Sequence, residues 1–142
     1  MAKDSKPLRL LAEDEADLGV IAAALQDAVA KLGDIAYDAR ARTLTIACNR
    51  YRWEAKSRER VRTGLQFSGV LGVQSHKLKR GAKDAVVDLL DIAFEAGEAP
   101  GGTIILKFAG GGALRARVEC IDAVLADVSA PWPARGEPQH GA

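Results

Sequence analysis

The chain has 142 residues, the size of one ordinary domain. Its 48% hydrophobic, 27% charged and 5% aromatic residues exclude the disordered, collagen-like and disulfide-scaffold classes. A formal net charge of +1 excludes a uniformly basic or acidic protein.

The start, Met1 to Pro7, has no apolar core behind its lysines, so it does not read as a secretory signal. Pro7 to Ala12 is a short apolar segment that predicts an edge strand. Asp14 reads as a helix N-cap, with Glu15 and Asp17 in the first turn, where the helix dipole favours negative charge. Leu18, Ile21, Ala22, Leu25 and Val29 then form one helical stripe. Periodicity carries this helix to Leu32, with Gly33 as its cap; the other reading has the chain leave the helix near Asp27.

After Gly33 the period becomes two. Leu44, Ile46 and Cys48 alternate with polar or small residues, and so do Val61, Thr63, Leu65 and Phe67. The same pattern returns at Leu90, Ile92 and Phe94, at Ile104, Leu106 and Phe108, and at Leu114, Ala116, Val118 and Cys120. Such alternation predicts antiparallel strands with one buried face. Turn chemistry lies between them in Gly97 to Gly102 and in Gly110-Gly111-Gly112.

The strands also repeat: Asp34 to Asp38 resembles Asp91 to Glu95, and Thr43 to Ile46 resembles Thr103 to Leu106. Leu65-Gln66-Phe67, with a break near Ser68-Gly69 and then Val70-Leu71, resembles Val118-Glu119-Cys120, a break near Asp122 and then Val124-Leu125. The expected fold is one α+β domain over residues 1–130. An N-terminal helix packs on a mainly antiparallel sheet of six to eight strands, curled into a barrel or split sandwich. Two copies of a three-stranded meander, or two meanders that merely look alike, account for the repeat. Residues 131–142 read as a Pro/Gly-rich tail in which Trp132 is either an anchor or a contact point.

The near-neutral total conceals an asymmetry. Residues 39–83 contain twelve basic residues against Glu54 and Glu59, while both flanks are net acidic. Within this stretch, Asn49 to Glu59 looks like an insertion between two strands, where arginines alternate with Tyr51 and Trp53. Guanidinium groups pair with phosphates or carboxylates and aromatic faces stack bases. The candidate binding residues are therefore Arg50, Tyr51, Arg52, Trp53, Arg58, Arg60, Arg62, Lys77, Lys79 and Arg80. A plainer reading has Tyr51 and Trp53 cover a sheet edge while the charges solvate it.

No catalytic constellation emerges. The triple glycine leads into a strand, not into the helix a phosphate loop needs. Gln66 stands where a nucleophile elbow would have glycine. Ser75 and His76 are neighbours on an extended segment and so face opposite ways. Cys48 and Cys120 have no Cys-x-x-Cys spacing, and two histidines with two isolated cysteines do not make a metal site. No apolar run reaches the ~20 residues of a membrane helix.

Several stretches resemble a known family: Leu25 to Ala28, Gly33 to Tyr37, Asn49-Arg50, Phe108 to Ala113 and Val118 to Ile121. They are similar to small bacterial proteins, mainly alphaproteobacterial, grouped as a domain of unknown function. The resemblance runs from about Leu8 to Trp132 and implies a stand-alone protein, without an activity or site residues to carry over. The expectation is a cytoplasmic, non-enzymatic binding or adaptor protein with no cofactor, metal or membrane. Its partner is an acidic protein, nucleic acid, or a second copy of the chain; an enzyme with a site between the two halves ranks last.

Overall fold

The computed structural model describes residues 6–56, 58–79 and 81–135. Arg80 and the part of the expected tail from Gly136 onward lie outside them. The described elements are one α-helix, eleven strands and two single 3-10 turns, Leu32–Asp34 and Ala109–Gly111. They run β1 (Arg9–Ala12), α1 (Glu15–Ala24), β2 (Val29–Lys31), β3 (Ile35–Asp38), β4 (Thr43–Tyr51), β5 (Glu59–Phe67) and β6 (Val70–His76). They continue as β7 (Val86–Ala96), β8 (Gly102–Phe108), β9 (Ala113–Val118), β10 (Ala123–Asp127) and β11 (Trp132–Pro133).

Asp14 is the N-cap of α1: its Oδ1 accepts the Asp17 amide at 2.8 Å. The helix ends at Ala24, earlier than the apolar period suggests. Asp27 adopts a left-handed conformation (φ 62°) and donates its amide to the Leu89 carbonyl at 2.8 Å. Val29, Ala30 and Lys31 then pair with β7. A short strand buries Ala28 and Ala30 as well as another helical turn would, and it suits β-branched Val29 better. The periodicity of this stretch therefore fits both states, and the sheet decides between them.

All strand pairs are antiparallel, in the order β1-β10-β5-β4-β2-β7-β8-β9-β6, with β3 also on β4 and β11 on β5. The sheet has more strands than the six to eight expected and is not closed into a barrel. Helix α1 packs against β7 and β1. Strand β1 is the edge strand expected before the helix; the extra strands include β2 and β11, short pieces that carry no alternation of their own.

The two meanders are β3-β4-β5 and β7-β8-β9. Each lends its next strand to the other: β5 bends into β6, which pairs β9, and β9 bends into β10, which pairs β5. The bends meet each other. Ser68 donates its amide to the Asp122 carbonyl at 2.9 Å, and Glu119 donates to Gly69 at 3.0 Å. Gly69 takes φ 67°, a turn open to glycine and strained for other residues. This exchange wraps the sheet around one core that includes Leu44, Leu65, Phe67, Ile104, Leu106 and Leu125. One phase differs from the alternation in the sequence. A bulge between Leu89 and Asp91 turns Leu89 inward and leaves Leu90 exposed.

Candidate binding groove and the buried arginine network

The Arg-rich segment is mostly strand. β4 extends to Tyr51 and β5 starts at Glu59, so the connection shrinks to residues 52–58. Alternation along β4 sends Arg50 to the same side as Leu44, Ile46 and Cys48, where it is fully buried. Its Nε and Nη2 donate to the two Asp127 carboxylate oxygens at 2.9 and 2.8 Å. Its Nη1 and Nη2 donate to Glu54 at 2.9 and 2.6 Å. Asp127 also accepts from the Thr63 hydroxyl and the Leu8 amide, both at 2.8 Å. This carboxylate thereby ties together β10, β5, β4 and the segment entering β1.

The charges in this network are held in place. Burial opposes the Arg50 charge, but its hydrogen bonds to both carboxylates outweigh it and raise the pKa. Burial pushes the Asp127 carboxyl up, and its bonds with Arg50, Leu8 and Thr63 bring it below the ordinary carboxylate value. Hydrogen bonding to Arg50 likewise lowers Glu54. Next to them, burial pushes the Cys48 thiol up to about 11, so it stays protonated.

The other arginines of the segment are engaged too. Arg52, also buried, pairs with Glu59 at 2.6 Å. Arg62 bridges to Asp34 at 2.9 Å and to the Asn49 side chain at 3.1 Å. Arg60 donates to the Asn49 carbonyl and lies 6.0 Å above the Tyr51 ring. Tyr51 is buried, with Trp53 edge-on against it at 4.7 Å; the Trp53 indole donates to the Gln26 carbonyl just past α1. Arg50, Arg52 and Tyr51 therefore do not form the exposed, base-stacking surface expected from their alternation. Arg58, Lys77 and Lys79 remain exposed.

The concave surface lies elsewhere, where the sheet fails to close. Strand β3 pairs only β4, and β6 is the end of the strand order, so each presents an edge that no other described strand pairs. Between them runs a groove of about 360 Å³. Ile35 and Tyr37 of β3, Leu44 of β4, Val73 and Ser75 of β6 and Leu114 of β9 form its walls; Leu32 and Leu78 complete it. At one end the edges are pinned. The Tyr37 hydroxyl donates to the Val70 carbonyl at 3.1 Å, and the Val70 amide donates to Arg42 at 2.9 Å. A whole tyrosine side chain spans a gap that directly paired strands, ~4.8 Å apart, would not leave.

At the other end the segment following β6 is docked by its backbone. Gly33 donates to the Lys83 carbonyl and Leu32 to the Ala85 carbonyl, both at 2.9 Å. From Val70 to Lys83 the sequence holds Lys77, Lys79, Arg80 and Lys83 and no acidic residue. Lys77, Lys79 and Lys83 are exposed, flanking Leu78 and the Gly33 contact. A second depression of about 510 Å³ is lined by Gln74, Ser75, His76, Ala113 and Arg115, and shares Ser75 with the groove.

Among the described residues there is no group of three or more His, Cys, Asp or Glu placed to hold a metal ion, and no helix long and apolar enough to cross a membrane. The groove residues Ile35, Tyr37, Leu44 and Leu114 carry only the ordinary signature of strand alternation, which does not separate a groove from a core. The one available signal was the acid-free basic run beside Val73 and Leu78.

No curated protein and no solved structure matches the chain. A family match covers residues 8–140. The chain belongs to the family described as a protein of unknown function, DUF2948.

Proposed function

We propose that the chain is a non-enzymatic, cytosolic binding or adaptor protein that receives an acidic, partly apolar partner in the groove between β3 and β6. The observation that carries this reading is an apolar groove beside a basic run, Lys77 to Lys83, that contains no acidic residue. Apolar walls supply affinity and a few convergent charges supply selectivity, the usual make-up of a binding cleft. Lys77 and Lys79 are placed to attract carboxylates. The free thiols of Cys48 and Cys120 fit a reducing compartment.

Nucleic-acid binding through the Arg-rich segment has less support. Arg50, Arg52 and Arg62 already bond to acidic side chains of this chain. The test presents immobilised protein with a random-peptide display pool and, separately, with mixed single-stranded nucleic acid over a salt series. Retention of peptides rich in Asp or Glu with Leu, Ile or Val, lost in a Lys77→Glu/Lys79→Glu variant, is the expected result. Retention of nucleic acid alone, falling steeply with salt and lost on Lys56→Ala/Arg58→Ala, overturns it.

A further inference from the structure

We infer that the outward face of α1 is a docking surface for a second copy of this chain, packed helix against helix in antiparallel order about a two-fold axis. The inference stands apart from the groove: it concerns a different face, and either can fail without the other.

Helix α1 and its cap bury Leu18, Ile21 and Leu25 on the inner side. The opposite side is formed by Ala16, Gly19, Val20 and Ala23, all exposed, with Val20 at 55%. From Leu18 to Leu25 there is no polar residue. A helix with one wet face ordinarily carries charged residues there, and one that is apolar all round is covered on both sides. The residues outside the described ones supply a single large apolar side chain, Met1, which is too little for a cover. Gly19 sharpens the point. Glycine weakens a helix interior, and a Cβ placed at Gly19 would meet nothing of this chain within 4 Å. Packing within the chain gives no reason for this glycine, whereas its missing side chain lets a second helix approach closely.

The face is self-complementary, as a contact between two identical patches requires. With the axis between Gly19 and Val20, the Val20 side chain of each copy enters the notch at Gly19 of the other. Ala16 then lies against Ala23. Charge selects the antiparallel order and favours a copy as the partner. Glu13 and Glu15 are exposed at the N-terminal end of α1. At the C-terminal end the Trp53 indole donates to the Gln26 carbonyl, which anchors there the connection carrying exposed Lys56 and Arg58. Among the described residues, none of these four charges enters an ion pair. The antiparallel order brings Glu13 of each copy to the Gln26 end of the other, so acid meets base twice. A parallel pair would set acid against acid. Helices this short bury less than the ~1,200 Å² of a standard interface, so the dimer dissociates on micromolar dilution.

The test is analytical ultracentrifugation of the full chain from ~1 to ~500 μM. The parent mass should rise from monomer to dimer across this range. Val20→Glu should weaken association at least about tenfold. Its far-UV spectrum and its melting temperature in dilute solution should match the parent, because Val20 lies outside the core. Glu13→Lys and Lys56→Glu should each weaken association roughly fivefold, and the two together should restore it. A parent that stays monomeric throughout overturns the proposal, and so does a dimer untouched by Val20→Glu. A double charge reversal that fails to restore association overturns the antiparallel order.

Discussion

The Arg50 guanidinium and the Asp127 carboxylate share two hydrogen bonds of 2.9 and 2.8 Å although 77 residues separate them in the chain. Strand β5 lies between their strands, so the pair clamps three neighbouring strands, and Thr63 of β5 bonds the same carboxylate. Part of the basic middle of the sequence is thereby neutralised inside the fold by acids from its own loop and from the acidic C-terminal flank.

Removing Asp127 leaves the fully buried Arg50 guanidinium bonded to Glu54, a carboxylate that is itself partly exposed. Asp127→Leu and Arg50→Met are each expected to destabilise the protein, Asp127→Leu by about 3 kcal/mol, whereas the two substitutions together recover most of that loss. Urea denaturation of the two single variants and the double variant measures the coupling. Additive losses in the double variant would show that the clamp has no energetic unity.

The pH dependence follows from the same carboxylates. Asp127 and Glu54 have folded pKa values below their ordinary ones. Their contribution is complete above the unfolded carboxylate range near ~4 and is lost as pH falls through the folded values. Thermal midpoints should therefore drop on acidification from about pH 5 downward, and less steeply in Asp127→Asn. An equal slope in that variant would place the acid sensitivity elsewhere.

The thiols should separate by reactivity. Cys48 is buried with its pKa pushed up to about 11, while Cys120 is half-buried beyond the end of β9. In native protein at pH 8, iodoacetamide should modify Cys120 well before Cys48; unfolding in urea should remove the difference. Because the folded Cys48 pKa is raised, its share of stability is present below the unfolded thiol value of ~8.5 and is lost as pH rises towards 11.

Tyr37 bridges the pinned end of the groove. Tyr37→Phe deletes one hydrogen bond and keeps the ring, so it should cost about 1 kcal/mol. Exchange of the Val70 amide should rise with it. A stability unchanged from the parent would mean that the Arg42–Val70 bond alone holds that end.

Much of this architecture was legible in the residues. Leu44-Ile46-Cys48 and Val61-Thr63-Leu65-Phe67 gave strands in the right phase, and Asp14 marked the helix start. The breaks at Ser68-Gly69 and near Asp122 are the two bends through which the meanders exchange strands. What local pattern could not carry is any choice made by distant pairing. Val29 to Lys31 leave the helix because β7 is there to pair with, and Leu90 turns outward because of a bulge against β8. Arg50 is read from the sequence as a surface cation until Asp127 is brought to it. The groove was illegible for a related reason: Tyr37 and Val73 alternate like core residues, and only the missing pairing between β3 and β6 opens a space between them.

The groove, and not the Arg-rich connection, is the claim on which the functional reading stands. Its most direct test is the affinity of an acidic, leucine-containing peptide from the display selection for parent protein, for Val73→Trp and Lys77→Glu/Lys79→Glu at the groove, and for Lys56→Ala/Arg58→Ala at the connection. The account predicts losses of roughly tenfold or more for both groove variants and little change at the connection. Undiminished binding in both groove variants, with loss at Lys56 and Arg58, would contradict it.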